Sequence, residues 1–134
     1  MNDPQTALIY SMVVASVADQ NMQDVELQRI SEMVSHLPVF AGFDPNSIPQ
    51  IAEDCATMLS QEDGLDEMFE RIRDALPDRL RETAYALACD VVAADGTASQ
   101  EELRLLEMMR HQVGIDRLSA AAIERGAAAR YAHL

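Results

Sequence analysis

Apolar residues recur along this chain at intervals of three and four positions, which is the spacing of one face of an α-helix. The chain has only five glycines and lacks the Asn-Gly pairs that are typical of β-hairpins. The pattern therefore predicts an all-α fold without an extended sheet. One example is the stripe formed by Val25, Leu27, Ile30, Met33, Val34 and Leu37.

Capping residues divide the pattern into seven predicted helices. Asp3-Pro4 and Asp44-Pro45 are typical helix starts, and a glycine such as Gly114 is typical of a helix end. The predicted first and fifth helices are apolar almost all round, so we expect them to be central; the sixth is expected to bury Leu103. The predicted spans are about 4–20, 23–37, 45–60, 65–76, 78–95, 100–113 and 117–131.

The two halves of the sequence resemble each other, which indicates an internal repeat. Two three-helix repeats, at about 4–60 and 77–133, are joined by a connecting helix at about 65–76. We expect them to pack as one compact pseudo-symmetric bundle, a single domain over residues 1–134. At an offset of 76 the identical pairs are Ala18/Ala94, Asp19/Asp95, Glu26/Glu102, Leu27/Leu103 and Met33/Met109, and at an offset of 72 Gly42-Phe43-Asp44 matches Gly114-Ile115-Asp116.

Each repeat contains an acidic elbow, in which an aspartate at the end of one predicted helix precedes a glutamate at the start of the next. The pairs are Asp19 with Glu26 and Asp95 with Glu102. A tight reversal would bring both carboxylates to one corner, and clustered oxygens are the ligands that Ca²⁺ and Mg²⁺ prefer. An aspartate at a helix C-terminus also faces the unfavourable end of the helix dipole. These four acids are the candidate metal ligands.

A second interpretation of the elbows needs no metal. Ser99 and Glu102 have the spacing of a capping box, and Glu26 lies in a first helical turn, where the dipole favours an anion. Aspartate also tolerates turn geometry. Apolar Val91 would occupy the first ligand position of an EF-hand loop, which excludes that motif. Cation binding in another geometry and plain capping both remain open.

The stretch at 93–103, Ala-Ala-Asp-Gly-Thr-Ala-Ser-Gln-Glu-Glu-Leu, and its degenerate copy at 17–27 resemble the signature of the TerB-like tellurite-resistance family. The likeness covers nearly the whole chain. This family also includes the N-terminal region of a membrane-anchored DnaJ-like co-chaperone. The resemblance implies a compact helical bundle with an internal repeat, a cytoplasmic location and a role in tellurite or stress response. It also implies metal binding by the acidic positions and a protein partner in a membrane-linked complex.

The charge distribution suggests an alternative function. The net charge is −13, and residues 1–70 hold 13 acids against Arg29 alone. Nucleic acids and anionic membranes both demand a basic face, so neither is an expected partner. The alternative is a non-enzymatic interaction module whose acidic face docks a basic protein segment. The densest acidic cluster comprises Glu62, Asp63, Asp66, Glu67 and Glu70.

The remaining features suggest a cytoplasmic protein that is not an enzyme. Cys55 and Cys89 lie in apolar helical patterns without metal-ligand spacing, so we expect buried, reduced thiols. The apolar run at 7–18 is too short to span a bilayer. No phosphate-binding loop, nucleophile elbow or zinc motif occurs, so we expect no organic cofactor; a metal-dependent hydrolase is the least favoured alternative. Asp90 interrupts the fifth helix and is expected either to be exposed or to have an arginine or cation partner.

Overall fold

The computed structural model of the protein describes residues 3–17, 24–94, 96 and 98–134. Within these residues there are seven α-helices and no strand, so the all-α prediction is confirmed. Two short 3₁₀ helices, Pro38–Phe40 and Pro45–Ser47, lie between the second and third α-helices. The helices are α1 (Pro4–Ser16), α2 (Asp24–His36), α3 (Ile48–Leu59), α4 (Gly64–Ala75), α5 (Asp78–Ala94), α6 (Gln100–Val113) and α7 (Arg117–Arg130).

Aspartate caps begin several elements, as predicted. Asp3 Oδ1 accepts a hydrogen bond from the backbone N–H of Thr6 at 2.8 Å, and Asp116 Oδ1 accepts one from Ser119 at 2.7 Å. The Asp116 hydrogen bonds with Ser119 lower the pKa of that carboxyl. Each contact satisfies a backbone donor that the first turn of a helix leaves without an intrahelical acceptor.

Two predicted helix boundaries are wrong. Asp44 does cap a helix, but it is the 3₁₀ helix at Pro45–Ser47, and α3 begins only at Ile48. The first helix was expected to reach Gln20, yet α1 ends at Ser16 with Val17 as its C-terminal cap. The rest of the predicted first helix, residues 18–20, and the segment 21–23 that follows it lie outside the described residues.

The apolar helices α1 and α5 form the centre of the bundle, as the sequence predicts. Every residue of α1 from Ala7 to Ser16 is buried, and α1 makes its most extensive contact with α5. Helices α3 and α4 also pack on α1, while α7 packs on α5. Each fully buried aliphatic side chain contributes about 1.5–3 kcal/mol, so this pair supplies much of the stabilising burial.

The two copies of the sequence repeat share local features at a few matched positions that the structure describes. Gly42 and Gly114 both adopt left-handed conformations, with φ of 80° and 84°. The aspartates two positions later, Asp44 and Asp116, both cap the element that follows. Helix α3 packs on α1 as α7 packs on α5, so the third helix of each copy lies against the first helix of that copy. The repeat boundaries themselves remain a prediction.

Two apolar residues that were expected on buried faces are exposed. Leu103 is 49% exposed and Val25 is 53% exposed. In α6 the predicted Leu106, Met109 and Val113 are buried, but Glu102 and Leu105 belong to the buried face and Leu103 does not. In α2 only Ile30 and Val34 are buried, because this helix contacts its neighbours less extensively than the central helices do.

Both cysteines are free and buried, which confirms that prediction. Burial raises the pKa of Cys55 and that of Cys89 to about 12. Thiolate is the reactive form of cysteine, so both groups are poor nucleophiles in the folded protein. Among the helices that the structure describes, none is long and apolar enough to cross a membrane.

Candidate functional site

The second acidic elbow contains a complete capping box. Ser99 Oγ accepts a hydrogen bond from the backbone N–H of Glu102 at 3.1 Å, and Glu102 Oε1 accepts one from the backbone N–H of Ser99 at 2.8 Å. Glu102 is only 3% exposed, so this carboxylate is buried at the start of α6. The capping role of Glu102 is therefore confirmed. Asp95, the other predicted acid of this elbow, lies outside the described residues.

Of the two acids in the first elbow, the structure describes Glu26, which lies in the first turn of α2. Glu26 is half-buried and lines a small crevice with Ser16, Arg29 and Val91. Ser16 is the last residue of α1, and Val91 lies in the last turn of α5. The start of α2 thus meets the ends of both central helices. Asp19, the predicted partner of Glu26, lies outside the described residues.

The start of α6 lies at this same end of the molecule. Leu103, in the first turn of α6, lines one groove together with Val92 and Ala93 from the last turn of α5. Glu26 and Glu102 therefore both lie beside the C-terminal end of α5. We call this region, formed by the ends of α1 and α5 and the starts of α2 and α6, the elbow end.

The electrostatics of the elbow end are mixed. Helix α1 and helix α5 both present C-terminal carbonyl ends there, which carry about half a negative charge each and favour a cation. The N-terminal ends of α2 and α6 favour the anionic Glu26 and Glu102. Among the residues that the structure describes, no group of three His, Cys, Asp or Glu side chains is placed to hold a metal ion. A cation site here therefore needs Asp19 or Asp95 in addition to the glutamates.

Asp90, which interrupts the apolar sequence of α5, has an arginine partner. Arg130 in α7 donates a hydrogen bond to Asp90 Oδ1 and forms an ion pair with it. Asp90 is partly buried and Arg130 exposed. Burial raises the pKa of the neighbouring Tyr131, and Asp90 acts in the same direction. Of the two expectations for Asp90, the one with an arginine partner is correct.

The acidic cluster around α4 is solvated. Its residues all lie at or near the start of α4 and are all exposed. Asp66 and Glu67 in the first turn of α4 are at the end of the helix that favours anions. The cluster comprises Glu62, Asp63, Asp66, Glu67 and Glu70.

The sequence did not reveal a groove between α5, α6 and α7. This groove has a volume of about 860 Å³, and its floor includes Tyr85 and Cys89 of α5. The hydroxyl of Tyr85 donates a hydrogen bond to Glu124 Oε2 of α7 at 2.5 Å. A signal was present in the alanine-rich sequence of α7, because alanines leave a helix face without large side chains, but the groove becomes visible only when the helices are packed.

Comparison with known proteins gives one family. The sequence model described as "Tellurite resistance protein TerB" matches residues 5–125, which is most of the chain. No curated protein matches the chain, and no solved structure matches it.

Proposed function

Since this chain belongs to the family of the tellurite resistance protein TerB, we propose that it serves tellurite resistance or stress response by binding a divalent cation at the elbow end. The proposed ion is Ca²⁺ or Mg²⁺, held by oxygen ligands from Asp19, Glu26, Asp95 and Glu102. The cation would offset the repulsion between these carboxylates. It would also hold the starts of α2 and α6 against the central helices.

The observation that supports this proposal is the crevice that Glu26 shares with Ser16, Arg29 and Val91. It brings the first turn of α2 to the end of α5, from which the second elbow departs. Acids that are 76 positions apart in the sequence thereby come to the same end of the bundle. A hard cation is stabilised by such convergence, because its affinity rises with the number and charge of the oxygen ligands.

Calorimetric titration with Ca²⁺, Mg²⁺ and Mn²⁺ tests the proposal. We expect the wild-type protein to bind at least one ion, and Asp95→Asn and Asp19→Asn to weaken that binding by at least tenfold. The matched control is Asp66→Asn, which removes the same charge from an exposed position on α4. The absence of both binding heat and thermal stabilisation with all three ions would exclude a cation site.

Glu102→Gln separates metal binding from capping. Glutamine can also accept the hydrogen bond from the backbone N–H of Ser99, so the cap is retained while the negative charge is lost. We expect the melting temperature of the metal-free variant to stay within a few degrees of wild type, and its ion affinity to fall. Equal ion affinity in the two proteins would show that Glu102 is a cap alone.

We expect this function to be carried out in the cytoplasm, without catalysis and without an organic cofactor, as one component of a membrane-linked protein complex. Deletion of the gene followed by growth on tellurite, with rescue by wild type but not by Asp95→Asn, connects the ion to the resistance. Rescue by the Asp95→Asn variant would separate the two.

The alternative function is a protein-interaction module whose acidic face docks a basic partner. The exposure of the whole acidic cluster around α4 favours it, since these carboxylates are available to a partner. Affinity for an arginine-rich peptide is then expected to fall steeply between 50 and 300 mM salt, roughly as Debye screening predicts. Charge reversal at Asp66, Glu67 and Glu70 should abolish binding, whereas reversal at the exposed Glu32 and Glu82 should not. Binding that ignores both salt and these reversals would exclude the alternative.

A further inference from the structure

The groove between α5, α6 and α7 has the dimensions of a binding site. Its volume of about 860 Å³ lies in the range of about 300–1,000 Å³ that is usual for ligand pockets. Helix α5 forms the floor, and α6 and α7 form the two walls. Helices α6 and α7 both pack on α5, and the groove is the space between them. We call it the three-helix groove.

The wall that α7 contributes is lined mainly by alanines, with Arg117 at its start and Glu124 near its middle. Its lining positions follow one another at intervals of three and four, which is one side of a helix. Small side chains allow the backbone of another helix to approach closely, as ridges-into-grooves packing requires. The α7 residues that line the groove are Arg117, Ala120, Ala121, Glu124, Ala127 and Ala128.

The opposite wall carries an apolar side chain that its own fold does not bury. Leu103 of α6 lines the groove and is 49% exposed. The neighbouring Leu106 is buried and continues the same wall. An occupant that covers Leu103 would remove apolar surface from water, which favours binding.

The shape of the groove favours a helix over an acyl chain. Its α7 wall runs from Arg117 to Ala128, which corresponds to about 18 Å, or a little over three turns of helix. Ala121 and Ala128 are exposed, so the groove is open to solvent along one side. An acyl chain would remain partly in water there. An amphipathic helix instead needs one open side for its polar face.

Charge distinguishes the two ends of the groove. Arg110 near the end of α6 and Arg117 at the start of α7 both line the end next to the α6–α7 turn. The nearest acid on α6, Glu107, lies about one helical turn away from this end. The acid on α7, Glu124, accepts the hydrogen bond from Tyr85. The end at the turn is therefore basic, and it would favour a carboxylate on the occupant.

We propose that the three-helix groove binds an amphipathic helix of a partner protein, with the apolar face of that helix against α5 and Leu103 and its acidic residues at Arg110 and Arg117. This surface is separate from the acidic cluster around α4. The acidic cluster would bind a basic partner, whereas the basic end of the groove favours an acidic one. The net charge of the chain therefore does not predict which partner this groove binds.

A pair of tryptophan substitutions tests where a helix binds. Ala121→Trp fills the groove from its α7 wall, while Ala122→Trp places the same side chain one position further along α7, at an exposed residue that does not line the groove. Both positions are exposed, so both variants should fold, and circular dichroism with thermal unfolding checks this. Ala128→Trp and Ala129→Trp form a second pair of the same design.

The probe is a display library of 18-residue peptides in which leucine or alanine is fixed at positions i, i+3, i+4 and i+7 of each helical repeat and all other positions vary. The library is selected on the intact protein, and the affinity of each enriched peptide is measured by fluorescence anisotropy. We expect enriched peptides to carry Asp or Glu at one end, to bind Ala122→Trp like wild type, and to lose at least tenfold in affinity for Ala121→Trp. Arg117→Glu should weaken them at least fivefold, and the exposed control Arg125→Glu by less than twofold.

Three outcomes would overturn the proposal. The first is that no peptide is enriched over an unrelated helical domain, and the second is that enriched peptides bind Ala121→Trp and Ala122→Trp equally. The third is that dodecanoate, but no peptide, binds the wild type and is blocked by Ala121→Trp, which would assign the groove to a fatty acid. Neither result depends on divalent ions, so failure here is distinguishable from failure of the cation site.

Discussion

The hydroxyl of Tyr85 in α5 donates a hydrogen bond to Glu124 in α7 at 2.5 Å, which links two helices across 39 residues of sequence. Tyr85 is almost fully buried, whereas Glu124 is exposed. Burial is the main cause of the raised pKa of Tyr85, and the hydrogen bond to Glu124 adds to it. This contact fixes the α7 wall of the three-helix groove against its floor.

Tyr85→Phe should lower the free energy of unfolding by about 1–2 kcal/mol, because a hydrogen bond to a charged acceptor is lost while the ring still fills its space. Urea denaturation measures the change. Tyr131→Phe is the control, since among the described residues no hydrogen bond from its hydroxyl joins α5 to α7, and it should cost less. An unchanged midpoint for Tyr85→Phe would show that this hydrogen bond does not stabilise the fold.

Two glycines should respond oppositely to alanine. At Gly64 an added Cβ would lie 2.2 Å from the carbonyl oxygen of Met58, so the backbone must move; we expect a loss of about 2 kcal/mol or more. At Gly126, inside α7, the nearest atom would be a terminal nitrogen of the flexible Arg130 at 3.4 Å. Gly126→Ala should therefore stabilise the protein by about 0.5–1 kcal/mol through helix propensity. Thermal and urea unfolding of both variants check the signs.

The capping box predicts a graded effect at the start of α6. Ser99→Ala should destabilise the protein by about 1 kcal/mol, because the backbone N–H of Glu102 loses its acceptor. Ser99→Asp should preserve most of the stability, since aspartate is an equally good N-cap. Equal unfolding midpoints for Ser99→Ala and wild type in urea would contradict the capping role.

Stability should decrease at alkaline pH. Burial raises the pKa of Cys55 and Cys89 to about 12 in the folded state, from an ordinary value of 9.0. Between these values the unfolded chain releases protons that the folded chain retains, so the free energy of unfolding falls as the pH rises from about 9 to about 12. Each thiol contributes a slope of about 1 kcal/mol per pH unit. The raised pKa of Tyr85 acts in the same direction.

Urea denaturation under reducing conditions at pH 8, 9, 10 and 11 measures this slope. Cys55→Ala should show a shallower slope than wild type, even though its stability at pH 8 is lower through the cavity that it creates. A wild-type free energy that stays constant from pH 9 to pH 11 would contradict the retention of buried neutral thiols.

Local features of the fold were predictable from the sequence because their interactions span only a few residues. The caps formed by Asp3 and Asp116 join positions three apart, and so does the Ser99–Glu102 capping box. Helix α6 begins and ends where the sequence predicts, at Gln100 and Val113. The central place of α1 and α5 followed from helices that are apolar all round, which are stable only when they are buried.

The candidate sites depended on the tertiary structure. The sequence indicated the elbow acids as pairs seven residues apart, but only packing brings Glu26 to the end of α5. Asp90 could have been exposed or paired, and only the packing of α7 on α5 brings it the guanidinium of Arg130, 40 residues away. Likewise, the period of apolar residues in α6 did not distinguish Leu103 from its buried neighbours. A helical period determines which residues share a face, whereas the positions of the neighbouring helices determine whether that face is buried, paired or left open as a groove.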